Sequence, residues 1–123
     1  MSRVNLLEET IEFLNRCGKT EDDITYVLGK RKDDKDYWTE LKFMTSWELF
    51  KSIAKNTEYD NGFGGNYISM GLKIVGKTFW LERNEYDGSE WWEYKEFPNL
   101  SDYKYTEEEV EIKNIIGIEC YED

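Results

Sequence analysis

Glu82 and Glu93 are the first pair in this sequence that could do chemistry together. They stand in two strand-like runs, Phe79 to Tyr86 and Glu90 to Phe97, joined around Asp87-Gly88. That dipeptide suits the positive φ angles of a type I′ turn. A two-residue loop sets Tyr86 opposite Ser89, Arg83 opposite Trp92 and Leu81 opposite Tyr94, so Glu82 and Glu93 meet across the hairpin. Two close carboxylates can share a proton or hold a cation. With Trp80 and Trp91 beside them they have the parts of a glycoside-hydrolase site. A solvated strand face relieved by Lys95 has the same pattern and asks for no catalysis.

A second motif is Gly71-Leu72-Lys73-Ile74-Val75-Gly76-Lys77-Thr78, which satisfies the P-loop spacing. A P-loop needs a preceding strand, a pliant interior whose amides curl around phosphate, and a following helix. Here the interior is Leu-Lys-Ile-Val, and the next residues are the strand formers Phe79-Trp80-Leu81. The expected structure is strand, turn, strand. The loop Gly62-Phe63-Gly64-Gly65 lacks the third glycine of a dinucleotide fingerprint, because position 67 is Tyr67. It reads as a helix stop and tight turn.

The chain contains no histidine, which removes His-based triads, His metal sites and His acid–base catalysis. Cys17 has no His partner to activate it and reads as packing at the end of a helix; it and Cys120 are expected to be reduced. Asp33-Asp34-Lys35-Asp36 lacks the alternation and the glycine of an EF-hand and reads as a solvated turn. The expectation is a protein that is not an enzyme and uses no cofactor and no metal.

What remains is the alternation of acids and aromatics from Trp80 to Tyr105. The chain of 123 residues carries a net charge of −11, with five Trp, nine Tyr and six Phe. Residues 1–57 hold 11 acids and 10 bases, whereas residues 58–123 hold 16 acids and 6 bases. Such a field repels nucleic acid and anionic membrane and attracts basic surfaces. Trp91 and Trp92 are adjacent, so on a strand they point to opposite faces. Either both faces are covered, by the tail or by a second copy in a homodimer, or one indole is exposed among charges as an interface residue is.

The elements that would position these residues fit one α+β domain over residues 1–123. A helix is expected from Arg3, capped by Ser2, to a stop at Gly18, with Val4, Leu7, Ile11 and Leu14 on its inner side. Asp23 to Gly29 and Tyr37 to Phe43 read as strands around a charged turn. Thr45-Ser46-Trp47-Glu48 reads as a capping box with Thr45 as the cap, opening a helix through about Lys55 that ends in the Asp60–Asn66 loop. Leu72 to Val75 is a short strand. Val110, Ile112, Ile115, Ile116 and Ile118 favour a last strand from Glu111 to Cys120. The architecture is a mainly antiparallel sheet of about five to six strands with two helices packed on one face. No run reaches the about 18 apolar residues of a membrane span, and the first 15 residues lack a signal-peptide core. A cytoplasmic protein is therefore expected.

Ile74 to Pro98, IVGKTFWLERNEYDGSEWWEYKEFP, resembles a segment in small uncharacterised proteins of bacteriophages and prophages. Tyr59 to Gly65 match the Tyr-Asp-Asn-Gly-Phe-Gly-Gly loop that precedes it there. The resemblance implies a phage or mobile-element gene acting in the bacterial host cytoplasm. It brings no catalytic residue. By class, small acidic His-free phage proteins resemble anti-defence inhibitors such as anti-CRISPR proteins, some of which present carboxylates in place of nucleic-acid phosphates.

The leading expectation is an acidic inhibitor that occupies a basic, nucleic-acid-binding groove on a host protein, without binding nucleic acid or membrane itself. Glu82, Glu85, Asp87, Glu90, Glu93 and Glu96 would supply the negative face, Glu107, Glu108 and Glu109 would extend it, and Trp91 or Trp92 would anchor it. The alternatives are a small-molecule or nucleotide sponge built on aromatics and the Gly62–Gly65 loop, and, third, a phage enzyme.

Overall fold

The computed structural model describes residues 3–62 and 67–117. Its elements in chain order are β1 (Arg3–Asn5), α1 (Leu6–Arg16), β2 (Ile24–Lys32), β3 (Glu40–Thr45), α2 (Trp47–Ala54), β4 (Glu58–Asp60), β5 (Lys73–Gly76), β6 (Phe79–Tyr86), β7 (Ser89–Glu96) and α3 (Glu109–Ile116). The fold is α+β, with seven strands in two antiparallel sheets. The main sheet has the order β3-β2-β5-β6-β7, so β3 and β7 are its edges. β1 and β4 pair separately, Val4 opposite Tyr59.

One face of the main sheet is buried. Val27, Ile74, Leu81 and Trp92 project from β2, β5, β6 and β7, and Leu6, Leu14, Trp47 and Ala54 of the first two helices close over them. Fully burying a side chain such as Leu14, Ile74 or Leu81 contributes about 1.5–3 kcal/mol. The Trp92 indole N–H donates to Thr10 Oγ1 at 3.0 Å, fixing α1 across the hairpin. Trp47 Nε1 donates to Glu21 at 3.0 Å and Lys51 pairs with the same carboxylate at 2.7 Å, fixing α2 to the segment before β2.

Several elements differ from expectation for local reasons. Residues 3–5 are extended because they pair with β4, so α1 opens at Leu6. Its cap is Asn5, which accepts from the Glu8 amide at 3.1 Å and donates to the Lys55 carbonyl at 2.9 Å. The stop at Gly18 is as expected, with φ +79°. The cap of α2 is Ser46 and not Thr45: the Ser46 hydroxyl accepts from the Leu49 amide at 3.1 Å, while Thr45 still pairs in β3. Tyr37 and Trp38 belong to the β2–β3 turn, because Asp36 accepts from the Trp38 amide and the Thr39 hydroxyl and holds the chain curled. The segment after α2 first forms β4. The expected strand from Glu111 is a helix, α3, which ends at Gly117 with φ +84°. Ile118 and Cys120 lie outside the described residues.

The hairpin register is the expected one. Tyr86 faces Ser89, Arg83 faces Trp92 and Glu82 faces Glu93, with Asp87 and Gly88 at φ 50° and 85°. Among the described residues no helix is long and apolar enough to cross a membrane.

Candidate functional site

The hairpin of β6 and β7 sorts the expected site residues into two environments. On the buried face, Arg83 and Glu90 form an ion pair at 3.0 Å, with side chains 0% and 1% exposed. Trp92 lies beneath the guanidinium, 4.8 Å from its carbon. Glu90 and Trp92 are therefore interior residues and not part of the outward acidic surface expected for them. The reason is the strand period: Leu81, Arg83, Glu90 and Trp92 share the face that meets α1.

The ion pair is the centre of a larger cluster. Arg83 Nη2 donates to the Tyr59 hydroxyl at 2.9 Å, and Nη1 reaches Glu9 at 3.3 Å. The Tyr59 hydroxyl donates a short bond to Glu9. Burial, and then this bond, push the Tyr59 phenol well above its ordinary pKa, so it stays protonated and remains the donor. Two carboxylates face one guanidinium here, and backbone amides take up the remainder. Glu90 accepts from the amides of Tyr67 at 2.8 Å and Ile68 at 3.1 Å, while its own amide donates to the Asn61 carbonyl at 2.9 Å. Glu90 thus clamps both sides of the glycine-rich loop. Of the Gly62–Gly65 stretch only Gly62 is described; Phe63, Gly64 and Gly65 lie outside. The carboxylates of this cluster are occupied as acceptors of named hydrogen bonds, which is the chemistry of a structural clamp.

On the opposite face Glu82 and Glu93 stand directly across from each other. Each is engaged on its own strand: Glu82 accepts from Trp80 Nε1 at 2.7 Å, and Glu93 lies 3.9 Å from Lys95. Among the described residues no group of three or more Cys, Asp or Glu is placed to hold a metal ion. The P-loop spacing at Gly71 to Thr78 falls on the end of a turn, β5 and the turn into β6, with no helix after it. Gly76 is there for packing, since a Cβ on it would overlap the Phe79 ring.

Comparison with protein-family models, curated proteins and solved structures gives no match for this chain.

The outward residues remain. Glu85 and Asp87 are exposed at the hairpin tip, and neither has an ion-pair partner among the described residues. Glu96 is exposed where β7 ends and accepts from the Tyr94 hydroxyl at 2.9 Å. Trp91 is 36% exposed against 3% for Trp92, so the adjacent indoles have opposite fates. Trp91 borders a cleft at the sheet edge with Glu9, Glu12, Phe13, Arg16 and Trp92. Glu107, Glu108 and Glu109 are exposed before and at the start of α3, away from the hairpin in sequence.

Sequence reasoning takes Trp80 and Glu82 of the open face only with Trp91 and Glu93 across the hairpin, and misses the groove that β2 and β5 complete. Tyr26, Leu28, Val75, Trp80 and Phe97 line a groove of about 370 Å³ there, with Lys73, Lys77 and Glu82. The signal is the alternation of β2 and β5, whose second face is apolar and lysine-bearing where that of the hairpin is acidic.

Proposed function

We propose that this chain is an interaction protein, an acidic inhibitor that occupies a basic, nucleic-acid-binding groove on a host protein in a phage or mobile-element setting. The observation that carries this reading is the hairpin tip. Asp87-Gly88 makes a tight turn, and the buried Arg83–Glu90 pair fixes the two strands behind it. The turn therefore presents Glu85 and Asp87 on a held scaffold, without a neighbouring cation to neutralise them among the described residues. Glu93 and Glu96 continue the negative charge along the edge strand, and the half-open Trp91 supplies an apolar contact of the kind enriched in interface hot spots.

Burial takes Glu90 and Trp92 out of the contact set. The acids that would stand in for phosphates are Glu82, Glu85, Asp87, Glu93 and Glu96, with Glu107 to Glu109 as an extension. Long-range attraction of this type is screened over roughly 8 Å at physiological salt, so binding should be salt-sensitive. The test is capture of partners from bacterial lysate by the tagged protein at low and high salt. Recovery of a nucleic-acid-handling protein at low salt, and its loss at high salt or on adding competing nucleic acid, is the expected result. A partner retained equally under all three conditions contradicts the reading.

A further inference from the structure

Two surfaces of this chain are left uncovered among the described residues, and they complement each other. The first is the open-face groove. Its floor is Tyr26, Val75 and Trp80, with Phe97 tilted 5.1 Å from the Trp80 ring. Lys73 and Lys77 stand beside it, and neither forms an ion pair among the described residues. Glu82 lines it too, with its carboxylate taken up by Trp80 Nε1 at 2.7 Å, so in a chain of net charge −11 the two lysines leave an aromatic patch of net positive charge.

The second surface is α3. All eight of its residues are exposed, including Val110 at 54%, Ile112 at 41%, Ile115 at 75% and Ile116 at 64%. A helix this short is marginal in water unless it buries an apolar face. Ile112, Ile115 and Ile116 fall at helical spacing on one stripe, and Glu108 and Glu111 lie on the same stripe toward the N-terminal end. Glu109 is turned aside to Lys113 at 3.2 Å. The stripe is thus apolar at one end and anionic at the other.

We propose that α3 of one copy docks in the open-face groove of a second copy, with its isoleucines on Tyr26, Trp80 and Phe97 and its glutamates toward Lys73 and Lys77. Each chain carries both halves of the contact, and we take the exchange to run in both directions, which closes the pair as a two-fold dimer where one-way docking would propagate as an open chain. Reciprocity matters for size. One eight-residue helix in a groove falls short of the about 800 Å² per partner of a standard interface, and two such contacts approach it. The dimer covers Glu82 and Glu108, whereas the hairpin tip with Glu85 and Asp87 stays outside the contact, so the dimer and an inhibitory role of the tip stand or fall separately.

Sedimentation of the full chain at several concentrations and two salt concentrations tests the dimer. The expected result is a dimer whose dissociation constant rises about tenfold or more at high salt. Ile115→Glu on the helix and the double variant Lys73→Glu, Lys77→Glu in the groove should each be monomeric. All three positions are solvent-accessible, and circular dichroism checks that both variants are folded. Mixing the two variants leaves one intact helix in one intact groove, so the mixture should associate more tightly than either variant alone and more weakly than the wild type. A monomeric wild type overturns the proposal, whether α3 then folds back on its own sheet or the groove takes single-stranded nucleic acid. Self-association that survives Ile115→Glu overturns it too.

Discussion

Arg83 and Glu90 lie seven positions apart on facing strands and meet at 3.0 Å in the interior, where the Glu90 carboxylate also receives the amides of Tyr67 and Ile68. One side chain therefore joins the hairpin to the loop that leads into the main sheet. A buried pair of this kind costs desolvation on both sides, and removing one partner leaves the other charge uncompensated.

Arg83→Met should destabilise the fold by about 3–5 kcal/mol, since Glu9 and Glu90 would then face each other without the guanidinium. Glu90→Gln keeps the size and should cost less than Arg83→Met. The double variant should cost less than the sum of the two, because the charges are lost together. Urea denaturation of the four proteins of this cycle gives the coupling directly.

The adjacent tryptophans should respond unequally. Trp92→Ala opens a cavity over α1 and strips Thr10 of its donor, for a cost of about 3–5 kcal/mol. Trp92→Phe should cost roughly 1 kcal/mol or more, mainly from the lost hydrogen bond. Trp91→Ala should change stability by less than Trp92→Phe. Denaturation midpoints decide the order, and a Trp91 variant as unstable as Trp92→Ala would move the buried face to the wrong side of the strand.

Two glycines should resist substitution for different reasons. Gly88→Ala puts a Cβ at φ 85°, costing about 1–2 kcal/mol. Gly76→Ala drives a methyl into the Phe79 ring, an overpacking cost of about 1–3 kcal/mol. Thermal unfolding measures both. If Gly76 served a nucleotide instead, Gly76→Ala would leave unfolding unchanged and abolish a nucleotide-induced shift in the wild type.

Stability should fall at alkaline pH. Burial and the bond to Glu96 push the Tyr94 phenol up to about 12, and burial with the bond to Glu9 raises Tyr59 as well. A raised folded-state pKa means that the stabilisation is complete below the unfolded value of about 10 and is lost as pH climbs through the folded value. The opposite sign applies at Glu21, whose carboxyl is held down by hydrogen bonds from Lys51 and Trp47, so that contribution fades as pH falls below the ordinary Glu range. Denaturation midpoints from about pH 9 to about pH 12 should decline, and Tyr59→Phe with Tyr94→Phe should flatten the decline.

The hairpin is readable in the sequence down to its register, because Asp87-Gly88 dictates the turn and a two-residue loop leaves no freedom in the pairing. Alternation also places Arg83 with Leu81, Trp92 and Tyr94. It does not say that this face is the buried one, since an arginine there argues for solvent until its partners Glu9, Tyr59 and Glu90 are known. Those partners come from α1, β4 and β7, and no local pattern links them. The same gap puts Glu90 on the acidic surface when only the sequence is read. The α3 segment reads as a strand by its isoleucines. It is a helix because Glu109 and Glu111 place acids in its first turn that suit the dipole and because Gly117 can take the left-handed stop. β1 and β4 escape a sequence reading because three-residue strands carry no periodicity.

The most direct test of the acidic-inhibitor reading is binding of the captured host protein by a variant with Glu85→Gln, Asp87→Asn, Glu93→Gln and Glu96→Gln. These changes keep shape and hydrogen-bonding capacity and remove four negative charges from the exposed hairpin. The reading predicts a folded variant whose affinity for the host protein is at least about a hundredfold weaker at low salt, with a flattened salt dependence. A variant that binds as tightly as the wild type, with the same response to salt, would contradict it.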